Sequence, residues 1–584
     1  MSSSLFRRKN IANIMAEGSD DPHGGGGHSL KRVLTVKDLT FFGIAAILGA
    51  GSFSSLGYAV FHGGPGVVIL FVITAIACGF TALCYSEFAS RIPVAGSAYT
   101  YAYASFGELF AWIIGWALIM EYSIGNIYVA YSWSDYFTSL LEKLHVHIPA
   151  YLSTSYMEAK HAVEGGSSNA EELAAWNNAP IVGGIRMILD LPALVINFLI
   201  TYLVYRGIKE SRNFSNVMVI LKMAVVALII LVGGYLVFAN GLTANWMPAN
   251  DEGVKSFMPN GFSGVMMAVA SVFFAYIGFD AVSVLAEESK NPQRDLPKGM
   301  MLSLVICTVI YILLTLVLTG AVNYRNFEGV GDPLAFIFEK QNLNVGWMQL
   351  FVAVIAVVAM TSVLLVFQMG QPRMWMSMSR DGLMPPVFQK IHPKYKTPSF
   401  ATIVTGLVVG VPILFTDKTF VLDFTSIATL FAFVLVCGGV LLIPAKEKLH
   451  GRFHLPYING QFIFPLIVIG SMVIAYMLSK NYFTDMFNFD FSGNPDYVSG
   501  KKTFMDVATP NISLIIFWIC ALLLAMASFV KKYSLIPLMG VITCMYLLTG
   551  MTKSNWLWFI GWLLLGIMIY FLYGYRKSKL ATAA

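Results

Sequence analysis

Residues 42–53 read Phe42-Gly43-Ile44-Ala45-Ala46-Ile47-Leu48-Gly49-Ala50-Gly51-Ser52-Phe53, and residues 271–280 read Ser271-Val272-Phe273-Phe274-Ala275-Tyr276-Ile277-Gly278-Phe279-Asp280. Each lies inside an apolar run of about 20 residues, enough to cross the ~30 Å hydrocarbon layer of a bilayer. In the first, Gly49, Ala50, Gly51 and Ser52 fall at mid-depth, where glycine weakens a helix. In the second, an acid follows Gly278 with aromatics in front of it, and Asp280 is placed to cap a half-helix that starts after that glycine. Small residues alone fit close helix packing as well as a break. The two interruptions fall in the first and sixth apolar segments, each of which opens a set of five. That is the pattern of discontinuous helices related by an internal repeat, which in transporters exposes main-chain polar groups to a substrate. Amides freed at a half-helix N-terminus attract a carboxylate and freed carbonyls accept from an ammonium, so a zwitterionic α-amino acid answers both ends.

Working outward, hydrophobic residues fill 57% of the 584 positions and charged ones 12%, far more apolar than a water-soluble globule. Breaks at Gly, Pro and charge clusters predict spans near 39–61, 66–89, 101–133, 188–206, 213–238, 260–286, 299–321, 347–378, 400–416, 421–444, 461–479, 511–530, 533–550 and 555–574. The expectation is an all-α, polytopic membrane protein with about 14 transmembrane helices and a five-plus-five inverted-repeat core. Residues 1–36 form a flexible cytoplasmic tail, 37–239 and 240–444 the two five-helix repeats, and 445–584 four additional helices. Lys and Arg collect in alternate loops, which puts both termini on the cytoplasmic side of a cell membrane. Segments 138–187, 239–259 and 480–510 are the longer outside connections.

The net charge of +6 gives no nucleic-acid reading. All six cysteines lie in apolar stretches without metal-ligand spacing and read as packing residues. His23 with His28, and His145 with His147, lack a third ligand, so neither a metal nor another cofactor is expected. No nucleophile and base stand at catalytic spacing, which excludes an enzyme.

Two ionisable residues sit deep in spans. Lys222, in the fifth, is followed by about fifteen apolar residues; an ionised lysine there is costly and such residues tend to serve ion or proton pathways. Glu121, in the third, either lines the pathway or bonds a neighbouring helix.

Several motifs in order, Gly49-Ala50-Gly51 after a basic tail, Glu87 before Pro93-Val94-Ala95-Gly96-Ser97-Ala98-Tyr99, Phe274 to Asp280, Glu287-Glu288 before Asn291-Pro292-Gln293-Arg294-Asp295-Leu296-Pro297, and Ser379-Arg380-Asp381-Gly382-Leu383-Met384-Pro385, resemble the cationic amino acid transporter family of the amino acid, polyamine and organocation superfamily. The resemblance implies that Ile47, Gly49, Ala50, Gly51 and Ser52 receive the substrate carboxylate and Phe274, Ala275 and Ile277 its amino group. It implies further that Lys222 stands in the place of a sodium ion, as in similar proton-coupled members, with Thr361 and Ser362 as the rest of that former site unless their hydroxyls serve their own helix. Ala45 departs from the glycine of many relatives, and Ser52 adds a donor near the carboxylate site. Phe367 faces the side chain and favours a small substrate.

The reading that follows is proton-coupled uptake of a small neutral L-amino acid such as alanine, with the substrate, protons and the lipid bilayer as partners. A cationic amino acid or polyamine carrier, or an amino-acid-binding membrane sensor, are its rivals. A small membrane accessory subunit cannot be read from the chain.

Overall fold

The computed structural model describes residues 7–9, 34–49, 51–91, 97–165, 169–207, 212–250, 253–280, 282–283, 289–395, 397–442, 455–492, 497 and 503–582. Among them, nine helices are long and apolar enough to cross a membrane, and Leu191–Arg206, Ser399–Ile413 and Leu535–Leu548 are shorter apolar helices. One of the nine, Gly51–Ser90, joins the second half of the first span to the whole second span. With the broken first span (Val36–Ile47, then Gly51–Gly63) and the broken sixth (Gly261–Met267 and Val269–Phe274) counted as passes, the described residues hold fourteen, the number expected. Strand is confined to the two-residue pair Ile181–Val182 and Ile185–Arg186 among the described residues.

Local chemistry sets the ends. The first span starts where Asp38 accepts from the Thr35 backbone N–H at 2.9 Å, the fourth where Asp190 accepts from Ala193 N at 2.9 Å, and the tenth (Lys418–Leu441) where Asp417 accepts from Phe420 N at 2.8 Å. The fourth ends on Gly207 at φ +78°. One expected boundary is corrected: 101–133 is not a single helix. Gly107, at φ +105°, separates a short helix Ser97–Ser105 from the third span, Glu108–Lys143, which runs ten residues further out than predicted. That backbone turn is open to glycine and strained for other residues.

The third and tenth spans are central, with 83% and 78% of their most apolar stretches buried inside the protein. The eleventh (Gly460–Leu478) buries 11% and lies toward lipid, with its own small core of Phe464, Val468, Phe517 and Trp518 shared with the twelfth span (Phe504–Lys531). The third span packs most extensively along the eighth, Gly346–Arg380, through polar rungs as well as apolar contact. Trp133 Nε1 donates to Thr361 Oγ1 at 2.9 Å, Asn126 bonds Gln368, Gln368 Nε2 donates to Thr201 Oγ1 at 2.7 Å, and Gln371 bonds Ser123. Such interhelical bonds contribute about 0.6 kcal/mol each inside a membrane.

Both ends of the described chain meet on one face. Lys9 Nζ pairs with Asp381 at 2.9 Å, Lys579 N donates to the Asp381 carbonyl at 3.1 Å, and Glu108 accepts from Tyr570 at 3.0 Å and from Ser578. Arg7 to Lys9 is therefore docked, unlike the free tail expected for 1–36, because two carboxylates at the helix ends need donors when taken from water. Residues 10–33, with His23 and His28, lie outside the described residues.

Candidate functional site

The first span stops at Leu48, whose φ and ψ of −77° and 78° leave the helical range, and resumes as a wide-turned helix over Gly51–Ser55. At the gap, Gly49 N donates to Ile47 O at 2.9 Å, while the Gly49 carbonyl gathers Ser52 N at 3.1 Å, Phe53 N at 3.2 Å and Ser52 Oγ at 2.9 Å. The Ser52 hydroxyl thus donates to its own turn. Ala50 lies outside the described residues.

The sixth span ends its helix at Phe274, tightens through Tyr276 N to Phe273 O at 2.9 Å and Ile277 N to Phe274 O at 3.1 Å, and turns at Gly278 with φ +111°. A Cβ on Gly278 would lie 3.0 Å from the Ala46 carbonyl oxygen, so only glycine fits both the backbone and the neighbour. The two breaks touch. A Cβ on Gly51 would sit 2.5 Å from Ala275 Cα, Ser55 Oγ lies 3.2 Å from the Ser271 carbonyl, and Ser271 Oγ bonds the Ser55 carbonyl.

A buried tyrosine of the seventh span (Pro292–Ala321) bridges the gap. Tyr311 Oη lies 2.9 Å from Ile47 O and 2.7 Å from Ala275 O, one carbonyl from each break, and can donate to either in turn. Tyr136 Oη donates to Phe53 O at 2.6 Å just beyond it. Sequence reasoning passed over both: the chain has 27 tyrosines, and nothing in spacing marks these two.

Of the residues singled out from sequence, Ile47, Gly49, Gly51, Ser52, Phe274, Ala275 and Ile277 are brought together at this crossing, all of them buried. Lys222, 2% exposed, reaches it from the fifth span and its Nζ donates to the Ala45 carbonyl at 3.4 Å, one turn before Gly49. Glu121 is buried in the third span, close enough to Thr429 and to Asp280 for the side chains to interact. The half-helix that Asp280 was expected to cap falls largely outside the described residues. Thr361 accepts from Trp133 and donates to Val357 O at 2.7 Å, and Ser362 donates to Ala359 O at 2.7 Å, so both hydroxyls serve helix carbonyls. Phe367 packs edge-on against Tyr122 with ring centres 5.9 Å apart, beside Gly125, where a Cβ would lie 3.4 Å from the phenylalanine ring.

At the end of the third span away from both termini, a cavity of about 300 Å³ leads toward the break, with Ser54 and Tyr128 among its walls. Carboxylates dominate its lining. Burial pushes the Glu158 carboxyl up to about 8 and Asp332 to about 6, each helped by neighbouring carboxylates. Glu158 and Glu171 lie on the loop helices Tyr156–Gly165 and Ala170–Asn178, which share a small core of Ala159, Ala175, Ala179 and Ile188.

The two interrupted helices meet main chain to main chain, and the family model for amino acid permeases matches residues 34–492, which contain both breaks. The chain belongs to the amino acid permease family. This permease is 36% identical over 580 residues to the branched-chain amino acid permease BcaP of Bacillus subtilis, covering 99% of this chain and 100% of that protein. It is 38% identical over 473 residues to the methylthioribose transporter of the same organism, across 80% of this chain and 91% of that one. A vacuolar cationic amino acid transporter 2 of Arabidopsis thaliana is 30% identical over 637 residues, across 99% and 94%. The permease is a multi-pass membrane protein that transports amino acids and is not an enzyme.

Proposed function

We propose that this permease takes up small neutral L-amino acids, alanine being the type, together with protons by alternating access across the cell membrane, with both termini cytoplasmic. The substrate carboxylate would rest on the main chain around Gly49 to Ser52 and its ammonium on the carbonyl side around Phe274, Ala275 and Ile277. Lys222 is the coupling group. Protonated, it donates to the first span and holds that half-helix in its substrate-binding position; deprotonated, it loosens that hold and lets substrate leave toward the cytoplasm. The contact of Lys222 Nζ with Ala45 O, on the half-helix just before the break, is the observation that carries this reading. Bulk at Phe367 beside Gly125 supports a small side chain.

The test is reconstitution in liposomes. Lys222→Ala is expected to keep alanine exchange while losing the response to an imposed pH gradient; uptake that still follows the gradient as in the parent protein rejects the coupling role.

A cationic substrate is the second reading, favoured by the acidic cavity on the approach to the break and by relatives whose names specify cationic amino acids. Competition of labelled alanine uptake by arginine and by leucine separates it both from the small neutral class and from the branched-chain class of the Bacillus permease.

A further inference from the structure

Lys418 opens the tenth span at the rim of the acidic cavity, and three elements converge on it or on its partner. Its Nζ pairs with Asp135 of the third span, the two side chains being 18% and 29% exposed. Its backbone N–H donates to Glu158 Oε1 of the Tyr156–Gly165 loop helix at 3.1 Å. The ammonium lies 5.7 Å from the ring centre of Tyr128, and that ring stands edge-on to Phe274 of the broken sixth span at 4.6 Å. On the other side of Asp135 runs the loop before the eighth span. A Cβ on Gly331 would come 2.5 Å from Asp135 Oδ2, and the Gly331 carbonyl accepts from Ser54 Oγ of the first span at 3.1 Å.

The pair therefore stands between the outer cavity and the substrate crossing, where it ties the third and tenth spans together and lays a cation on the aromatic that covers Phe274. A cation over an aromatic face and a partly desolvated ion pair each favour one arrangement of the side chains that make them. The same pair, once parted, frees Tyr128 to swing and the tenth span to lean away from the third. We propose that Asp135 and Lys418 form the outer latch of the transport path, with Lys418 as the residue that positions Tyr128 over Phe274. This rests on the orientation proposed above, in which the cavity faces outside, and not on the choice of substrate or on proton coupling.

The test uses the full chain in right-side-out and inside-out vesicles, with Ser54→Cys as a probe on the cavity wall and a membrane-impermeant thiol reagent added from one side at a time. Five of the six native cysteines are buried and Cys520 is partly so, and the parent protein without the probe supplies the background. Asp135→Asn and Lys418→Gln are expected to label three- to tenfold faster than the probe alone, on the order of what a half-buried ion pair contributes to an opening equilibrium. Lys418→Arg is expected to keep the slow rate, and the exchanged pair Asp135→Lys with Lys418→Asp to restore it. Labelling of both single variants at the parent rate, or of the exchanged pair as fast as the single ones, overturns the latch. A single variant that fails to fold leaves the decision to the other one and to the exchanged pair. Labelling from the opposite side of the vesicle with the same ranking rejects the orientation and retains the latch, so the two failures are distinguishable.

Discussion

Gly51→Ala places a methyl group where the two broken helices meet. Its Cβ would lie 2.5 Å from Ala275 Cα and 3.2 Å from both Ala275 Cβ and Ala275 N. Carbon atoms rest at about 3.5–4.0 Å, and the nearest atom belongs to the main chain, so no side-chain rotation relieves the overlap. The helices must separate by roughly 1 Å, a small-to-large change that costs about 1–3 kcal/mol in a packed interior. The separation pulls on the paired Ser55 and Ser271 contacts and on the Tyr311 bridge, the same main chain that is proposed to hold substrate. With that strain falling on the bound arrangement, substrate affinity drops about 10- to 100-fold. The assay is isothermal titration of purified protein with alanine, or with whichever amino acid stabilises the parent most, and Gly79→Ala is the control. In the second span a Cβ at Gly79 would meet only Leu304 Cδ2 at 3.8 Å, an ordinary contact, and alanine is the better helix former. Gly51→Ala binding within about twofold of the parent would show that the close approach of the two breaks has no part in holding substrate.

Tyr311→Phe removes the one hydroxyl that serves Ile47 O and Ala275 O. It is expected to cost about 1–3 kcal/mol, seen as a lower melting temperature in detergent together with a raised apparent KM for uptake. Glu158 gives a pH signature: its folded-state value of about 8, against an ordinary 4.5, means that the folded protein holds a proton the unfolded chain has released. Stability therefore falls as pH rises through that interval and levels off above it. Melting curves from about pH 5 to about pH 9 are expected to show this decline, and Glu158→Gln to flatten it; an unchanged slope in the variant assigns the decline to other groups. Gly382→Ala, at φ +81° and with a Cβ 2.4 Å from Lys577 O, is expected to undo the docking of the C-terminal segment on Asp381 and raise the rate of proteolysis at that end.

The positions of the two breaks were legible because glycine at mid-span is informative once a second interruption stands in the matching place of the other repeat. What binds the breaks together was not. Tyr311 and Tyr136 reach carbonyls of the first span across 264 and 83 residues of chain, and no local pattern points to such contacts. Ser52 likewise reads in sequence as a donor near the break, and only the fold shows that a turn of three residues returns its hydroxyl to the Gly49 carbonyl. The third span was drawn through Gly107 because the residues around it carry no charge cluster to mark a stop, and only the left-handed backbone reveals the corner. Likewise, a basic tail looks unattached until Asp381 and Glu108, hundreds and about a hundred residues away, are found to face it.

Chemical capping of each end of the substrate is the most direct trial of the two-break site. Alanine, N-acetylalanine and alaninamide are titrated in parallel into the purified protein and the shift in melting temperature followed. Stabilisation by alanine alone, lost when either the amino or the carboxyl group is blocked, is the predicted result; stabilisation by a blocked form equal to that by alanine would mean that the broken helices do not hold both ends of a zwitterion.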